Sequence, residues 1–184
     1  MKKNIQPSNI IYPQPIALVT CCDSDGNDNI ITIAWTSNVS RVPPIVMISI
    51  GGEKYSYRLI NETKEFGLNI PCSSILEKVD FCGQNSGEQV DKFEKTCLTK
   101  IDSSVIKPKL IAECPINYEC RVADIIKIGG GNIIFGEVVS CMMDENILDE
   151  NDAVSVEKLD TFAYINKGYF ALEKCFAKRG FSAE

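Results

Sequence analysis

The 184-residue sequence predicts a mainly β fold, a β-barrel with a few short helices, and three features carry that expectation. Apolar runs of strand length recur at residues 16–22, 29–35, 45–50, 66–70 and 116–128. Clusters of Gly, Pro, Asn, Asp and Ser divide them. The helical patterns between them are short, and no repeat, low-complexity tract or linker splits the chain, so one domain over residues 1–184 is expected. Closing so many strands into a barrel removes exposed edges.

Taken in order, residues 16–22 form a β-rich run that meets a turn cluster at 23–28, and residues 29–35 return as the second arm of a hairpin. Pro43 and Pro44 cannot lie in a central ladder. The run at 45–50 is apolar almost throughout and reads as a strand buried on both faces, ended by Gly51 and Gly52. Residues 54–61 are helix formers that place Tyr55, Leu59 and Ile60 towards one face, and a strand at 66–70 follows. Ser74 and Glu77 have the spacing of a capping box, which predicts a second helix running to about residue 81. Residues 84–114 are polar and irregular, with one helical turn at 91–94; such an excursion in a compact domain is more often functional than incidental. From Ile116 the β pattern resumes, with Tyr118, Cys120 and Val122 alternating with Asn117, Glu119 and Arg121. The run reaches Ile128, Gly129, Gly130 and Gly131 turn the chain, and residues 133–142 return.

Composition narrows the class of function. At 184 residues, 45% hydrophobic and 24% charged, the chain can bury a full core without metals or disulfides. A net charge of −6 argues against nucleic acid, which is bound through clustered Lys and Arg, and points to small molecules or proteins as partners. Asn4, Gln6, Ser8 and Asn9 interrupt the apolar run that a signal peptide or membrane span needs, and nine cysteines suit reduced thiols, so a soluble cytoplasmic protein is expected. The absence of histidine removes the commonest general base and metal ligand. No cysteine pair has Cys-x-x-Cys spacing, and most of the thiols read as small core residues. Chemistry on such a chain is expected to come from a cofactor.

The most informative stretch runs from Asn29 to Ser40. An apolar strand with Thr32 and Trp35 passes into Thr36, Ser37, Asn38, Val39 and Ser40, so that many short hydrogen-bonding groups stand beside one large aromatic. A flat heterocyclic ligand requires that combination, and the segment reads as the wall of a flavin site.

With Trp35, Ser37 and the Pro43-Pro44 pair placed, the chain resembles the flavin reductase-like family, which binds FMN on a split β-barrel of Greek-key type, and within it the flavoredoxins. The correspondence passes through residues 15–20, Asn29, Thr32 and Trp35, Lys54 to Ser56, then Glu65, Phe66 and Asn69. It continues through Cys82, Gly83, Ser86 and Gly87, then Asp91, Lys92 and Phe93, to Cys120, Gly136 to Val138, residues 168–170 and residues 180–182. Each piece is weak alone; the ordered set is specific and covers nearly the whole chain.

The resemblance implies FMN in a groove at a homodimer interface, its ring against residues 35–40 and its phosphate near Lys54, Tyr55, Ser56 and Arg58. Hydroxyls and amides of Thr36, Ser37 and Asn38 suit the pyrimidine carbonyls and the negative charge of the reduced ring. Asn29, Thr32 and Ser49 join the implied contacts from neighbouring strands, and Cys82, Gly83, Ser86, Lys92 and Phe93 from the following loop. Lys54 and Arg58 supply charge to the phosphate, and a helix start supplies amides. Several of these residues have a plainer alternative: Trp35 as packing that borders the pocket, Thr32 as a strand residue, Lys54 to Arg58 as a solvated helix face, Asp91 with Lys92 as a local ion pair.

Where many relatives carry a turn with histidine before the last barrel strand, this chain has Gly129, Gly130, Gly131 and Asn132. That departure bears on hydride transfer from a nicotinamide cofactor. The leading expectation is an FMN-binding oxidoreductase reduced by NAD(P)H that passes electrons to free flavin, ferric iron or a partner protein, with no side chain as covalent catalyst. An FMN electron carrier reduced by a protein, and a flavin-free binding module of the same barrel, are the alternatives.

Overall fold

A computed structural model describes residues 1–9, 11–155, 158–172 and 174–182. In chain order the strands are β1 (Gln14–Pro15), β2 (Ala17–Cys22), β3 (Asp28–Ile33), β4 (Thr36–Arg41), β5 (Pro44–Gly51) and β6 (Glu65–Ile70), with helix α1 (Tyr55–Thr63) before β6. Helices α2 (Leu76–Gln84) and α3 (Lys92–Thr96) follow, then β7 (Lys100–Ile101), β8 (Leu110–Ile111), β9 (Ile116–Ile128), β10 (Gly131–Met143), β11 (Phe162–Ile165) and β12 (Gly168–Ala171). The fold is mainly β, as the sequence predicts.

Seven strands form one antiparallel sheet in the order β3-β2-β6-β9-β10-β5-β4. Its two edges, β3 and β4, are consecutive in the chain and joined only by Ala34 and Trp35. Three virtual bonds span about 11 Å at most, so the sheet must curl until its edges meet. Trp35 therefore sits on the seam of a split barrel. The expected single run from Asn29 into the hydroxyl cluster is in fact two strands, because β3 pairs with β2 while β4 pairs with β5. A register shift between Asn38 and Ser40 leaves Val39 as the extra residue of a bulge.

Strand β2 is buried along its whole length and divides two cores. Ala17, Val19 and Cys21 face one with Ile31, Ile48, Phe66 and Ile134. Leu18 faces the other with Ile30, Val79, Phe93, Ile111 and Phe162 beneath α2 and α3. Strand β5 is not buried on both faces: Ile48 and Ile50 are, but Met47 and Ser49 are half-buried because their face lines a cleft. The capping box is also corrected. A 3-10 turn over Ser73–Ile75 precedes α2, no side chain caps the helix, Ser74 Oγ lies 3.0 Å from Cys72 Sγ, and the helix runs to Gln84.

The excursion at 84–114 is more ordered than its polarity suggests. Asp91 caps α3 by accepting from the Glu94 amide at 3.0 Å. The buried Asn69 carboxamide receives Asn117 Nδ2 at 2.8 Å and the Ile111 amide at 3.2 Å, which seats β8 on the barrel. Glu119, also fully buried, accepts from the amides of Ser104, Val105 and Ile106. All nine thiols are free, and Cys21, Cys22, Cys82, Cys114 and Cys120 are buried. Among the described residues no helix is long and apolar enough to cross a membrane.

Candidate functional site

A cleft of about 800 Å³ opens at the barrel seam. Trp35, Thr36 and Ser37 form one wall, Met47 and Ser49 the floor, and Gly130 and Gly131 the opposite rim. Ser49 N donates to Trp35 O at 2.8 Å and Thr36 Oγ1 donates to Met47 O at 2.9 Å, so the wall is held against β5. Trp35 remains 47% exposed, which makes it a wall rather than a core residue. A Cβ at Gly131 would lie 3.8 Å from Ser49 Oγ, and nothing stands within 4 Å of one at Gly130, so the rim carries no side chain into the opening. Asn132 anchors it from behind: its Nδ2 donates to Gly52 O at 2.6 Å and Ile50 O at 3.3 Å. A second cleft of about 880 Å³ shares Pro15, Thr36 and Ser37 with the first and continues past Asn38, Val39 and Ser40 to Arg41.

The entrance of α1 forms a second cluster. Lys54 is its N-cap, extended and without a side-chain cap bond, and the amides of Tyr57 and Arg58 return to its carbonyl. The amides that open the helix are left without helical partners. Asn29 Nδ2 donates to Ser56 Oγ at 2.8 Å. Asn29 Oδ1 is buried with no partner, the only such side-chain atom among the described residues. A Cβ on Gly87 would stand 2.0 Å from that oxygen, so only glycine allows the loop this close. Arg58 pairs with Glu88 and lies 5.4 Å over the Tyr55 ring. Lys54 is exposed, and its ammonium makes no hydrogen bond or ion pair among the described residues.

The remaining sequence-derived residues lie behind β3 and line neither cleft. Thr32 Oγ1 donates to Val79 O at 2.5 Å, and a Cβ on Gly83 would meet the Thr32 Cβ at 3.3 Å. Ser86 Oγ accepts from the Glu88 amide at 3.3 Å. Lys92 is buried, its ammonium donating to Ile30 O at 2.7 Å and Cys82 O at 2.8 Å, and it does not pair with Asp91. Burial depresses its pKa. Phe93 is buried, with the Lys100 ammonium 4.7 Å from its ring centroid.

The seam cleft and the helix entrance together have the composition of a nucleotide-like site, a flat half-apolar slot beside a small cationic helix start. Residues 9–173 match the model of the flavin reductase like domain. The chain belongs to the flavin reductase-like family. The flavoredoxin of Desulfovibrio vulgaris (Miyazaki F) superposes with a TM-score of 0.93 at 27% identity over 100% of both chains. The flavoredoxin of Methanosarcina acetivorans does so with a TM-score of 0.87 at 26% identity, also over 100% of both. An uncharacterized protein of Aquifex aeolicus is 29% identical over 166 residues, covering 88% of this chain and 85% of its own.

Within this flavin reductase-like chain, sequence reasoning named Trp35, Thr36, Ser37 and Ser49 but missed Met47, Ile133 and the segment of Ile11, Pro13, Gln14 and Pro15 as cleft lining. Met47 had a signal, since it alternates with Ile48 and shares a face with Ser49. That segment had none, because its position depends on β1 pairing with β11 about 150 residues away.

Proposed function

We propose that this flavin reductase-like protein binds FMN and acts through it as an oxidoreductase. One observation carries the reading: Trp35 and the hydroxyls of Thr36, Ser37 and Ser49 line one cleft, and β5, whose last residue Gly51 lines the same cleft, leads three residues later to Lys54 at an uncapped helix start. These residues fit the group. The slot suits a flat ring, Lys54 and the first amides of α1 suit a phosphate dianion, and the orphaned Asn29 Oδ1 lies beside the glycine loop at the same helix start.

When bound, FMN supplies reversible one- and two-electron chemistry. The chain's part is to bind and orient. The Ser49 hydroxyl, and that of Ser37 on giving up its 3.3 Å bond to Asn38 O, would donate to ring carbonyls and stabilise negative charge on reduction, whereas the Thr36 hydroxyl proton is committed to Met47 O. Met47 and Ile133 exclude water from the floor. Lys54 neutralises phosphate charge, whereas Arg58 is already committed to Glu88. Lys92 braces β3 against α2 from behind the slot.

NAD(P)H is the donor that the resemblance implies, and a homodimer belongs to the same reading. A protein donor is the second reading, favoured because the chain has no histidine and the turn over the cleft is Gly129, Gly130 and Gly131. A visible spectrum of the purified protein followed by anaerobic titration with NADH, NADPH and a reduced protein donor separates them. A colourless protein that cannot be loaded with FMN contradicts both.

A further inference from the structure

Lys92 is 3% exposed, and none of the ion pairs among the described residues includes it. A buried ammonium is ordinarily paired with a carboxylate. Its partners here are two neutral carbonyls, of Ile30 in β3 and of Cys82 in the last turn of α2. The helix end supplies roughly half a negative charge and leaves the rest uncompensated. The ionisable groups that face Lys92 are Cys82, Cys21 of β2 and Lys54 at the head of α1, and Asp91 on its own element is turned to the Glu94 amide. Burial pushes the Cys21 thiol up to about 12 and the Cys82 thiol up to about 11, so neither is an anion at neutral pH. A neutral donor would brace the two carbonyls equally well, so bracing alone does not explain a cation.

The missing negative charge has a place close by. Ile30 adjoins Asn29, whose Nδ2 donates to Ser56 Oγ in the first turn of α1 at 2.8 Å and lies 3.6 Å from Cys21 Sγ. The ammonium thus belongs to a buried cluster behind the helix entrance. We propose that Lys92 is a positioning residue for an anion at that entrance: from behind β3, without touching it, the Lys92 charge favours a phosphate dianion at the start of α1, and the bound dianion in turn holds the proton on Lys92. The inference rests on the FMN reading for the identity of the dianion. Burial lowers the pKa of Lys92 below that of an exposed lysine, and Lys54 adds to the lowering. In the flavin-free protein the proton is therefore lost at lower pH than usual, and a dianion nearby restores it. Binding of FMN takes up protons on the alkaline side, and its affinity falls as pH rises there. Riboflavin, with the same ring and no phosphate, does neither.

The test is calorimetric titration of flavin-free protein with FMN and with riboflavin, in buffers of different ionisation enthalpy, which counts the protons exchanged on binding. It runs from about pH 7.5 to about 9.5, where a phosphate ester with a second pKa of about 6 is already a dianion. The expected result is proton uptake with FMN that grows with pH, and none with riboflavin. Lys92→Met, which keeps the length of the side chain and removes its charge, is expected to abolish the uptake and to narrow the preference for FMN over riboflavin by about threefold or more. A lysine that only braces the fold would weaken both flavins alike when replaced. If Lys92→Met does not fold, the two titrations of the unaltered protein decide. Equal proton exchange with the two flavins, or a Lys92→Met protein that keeps both the uptake and the preference, overturns the inference. Equal affinity of the unaltered protein for the two flavins, or no binding of FMN, removes the phosphate placement itself and this inference with it, so the two failures are distinguishable.

Discussion

Asn29 and Ser56 meet side chain to side chain, the Asn29 Nδ2 donating to Ser56 Oγ at 2.8 Å and tying β3 to the first turn of α1. Both are buried, and the free Oδ1 of the same amide faces Gly87 in the loop after α2. The position of the cationic helix entrance relative to the seam thus depends on one hydrogen bond and one close backbone approach.

Gly87→Ala places a methyl 2.0 Å from Asn29 Oδ1 and 3.1 Å from the Tyr55 ring. Such overpacking costs roughly 1–3 kcal/mol. Because the displaced groups open α1, FMN affinity is expected to fall as well, by about tenfold. Thermal denaturation and flavin titration of the same variant check both, and unchanged affinity contradicts the proposed place of the helix entrance in the site.

Trp35→Ala separates wall from core. A buried tryptophan costs about 3–5 kcal/mol on truncation. At 47% exposure on the seam, Trp35→Ala is expected to cost less than about 2 kcal/mol while weakening flavin binding. A core-sized loss of stability with binding intact makes it a packing residue.

Glu119→Gln tests the clamp on the 102–109 loop. Burial alone raises the Glu119 pKa, but the Ser104 hydroxyl and the amides of Ser104, Val105 and Ile106 overcome it and hold the carboxyl below its ordinary value. A depressed folded pKa contributes stability that is present above about pH 4.5 and lost as pH falls below it. The variant is expected to lose about 1–3 kcal/mol at neutral pH and to speed amide exchange at Val105 and Ile106. Flavin affinity should not change, since the clamp lies outside both clefts.

Buried thiols contribute to stability at alkaline pH. Burial, the largest influence, pushes Cys21 up to about 12 despite the hydrogen bonds of Asn29 and Ser56, and pushes Cys120 to about 12 as well. An unfolded thiol titrates near 9.0, so their contribution is intact below pH 9 and is lost between pH 9 and about 12. Each such thiol contributes on the order of 1 kcal/mol per pH unit across that window. Cys120→Ala should flatten the fall in melting temperature above pH 9, while Cys175→Ala, at an exposed position, should leave it unaltered. Equal slopes in all three proteins contradict the assignment.

The strands were legible because their pattern is local: β2, β3, β6, β9 and β10 follow apolar runs bounded by turn residues. The split between β3 and β4 was hidden, since no breaker separates Trp35 from Thr36 and only pairing with different neighbours parts the two strands. Ser74 and Glu77 had the right spacing for a cap, but a 3-10 turn consumed the position first. In the site, residues 35–37 and Ser49 could be read from their side chains. Lys92 could not, because a lysine reads as a solvated charge until the fold wraps it around the Ile30 and Cys82 carbonyls.

The most direct test of the account compares FMN with riboflavin, which lacks only the phosphate, in titrations of flavin-free protein followed by quenching of flavin fluorescence. FMN is expected to bind in a 1:1 ratio and at least about tenfold more tightly than riboflavin, with Lys54→Ala removing most of that difference. Equal affinity for the two flavins, or a Lys54→Ala protein that still discriminates fully between them, contradicts the placement of the phosphate at the start of α1.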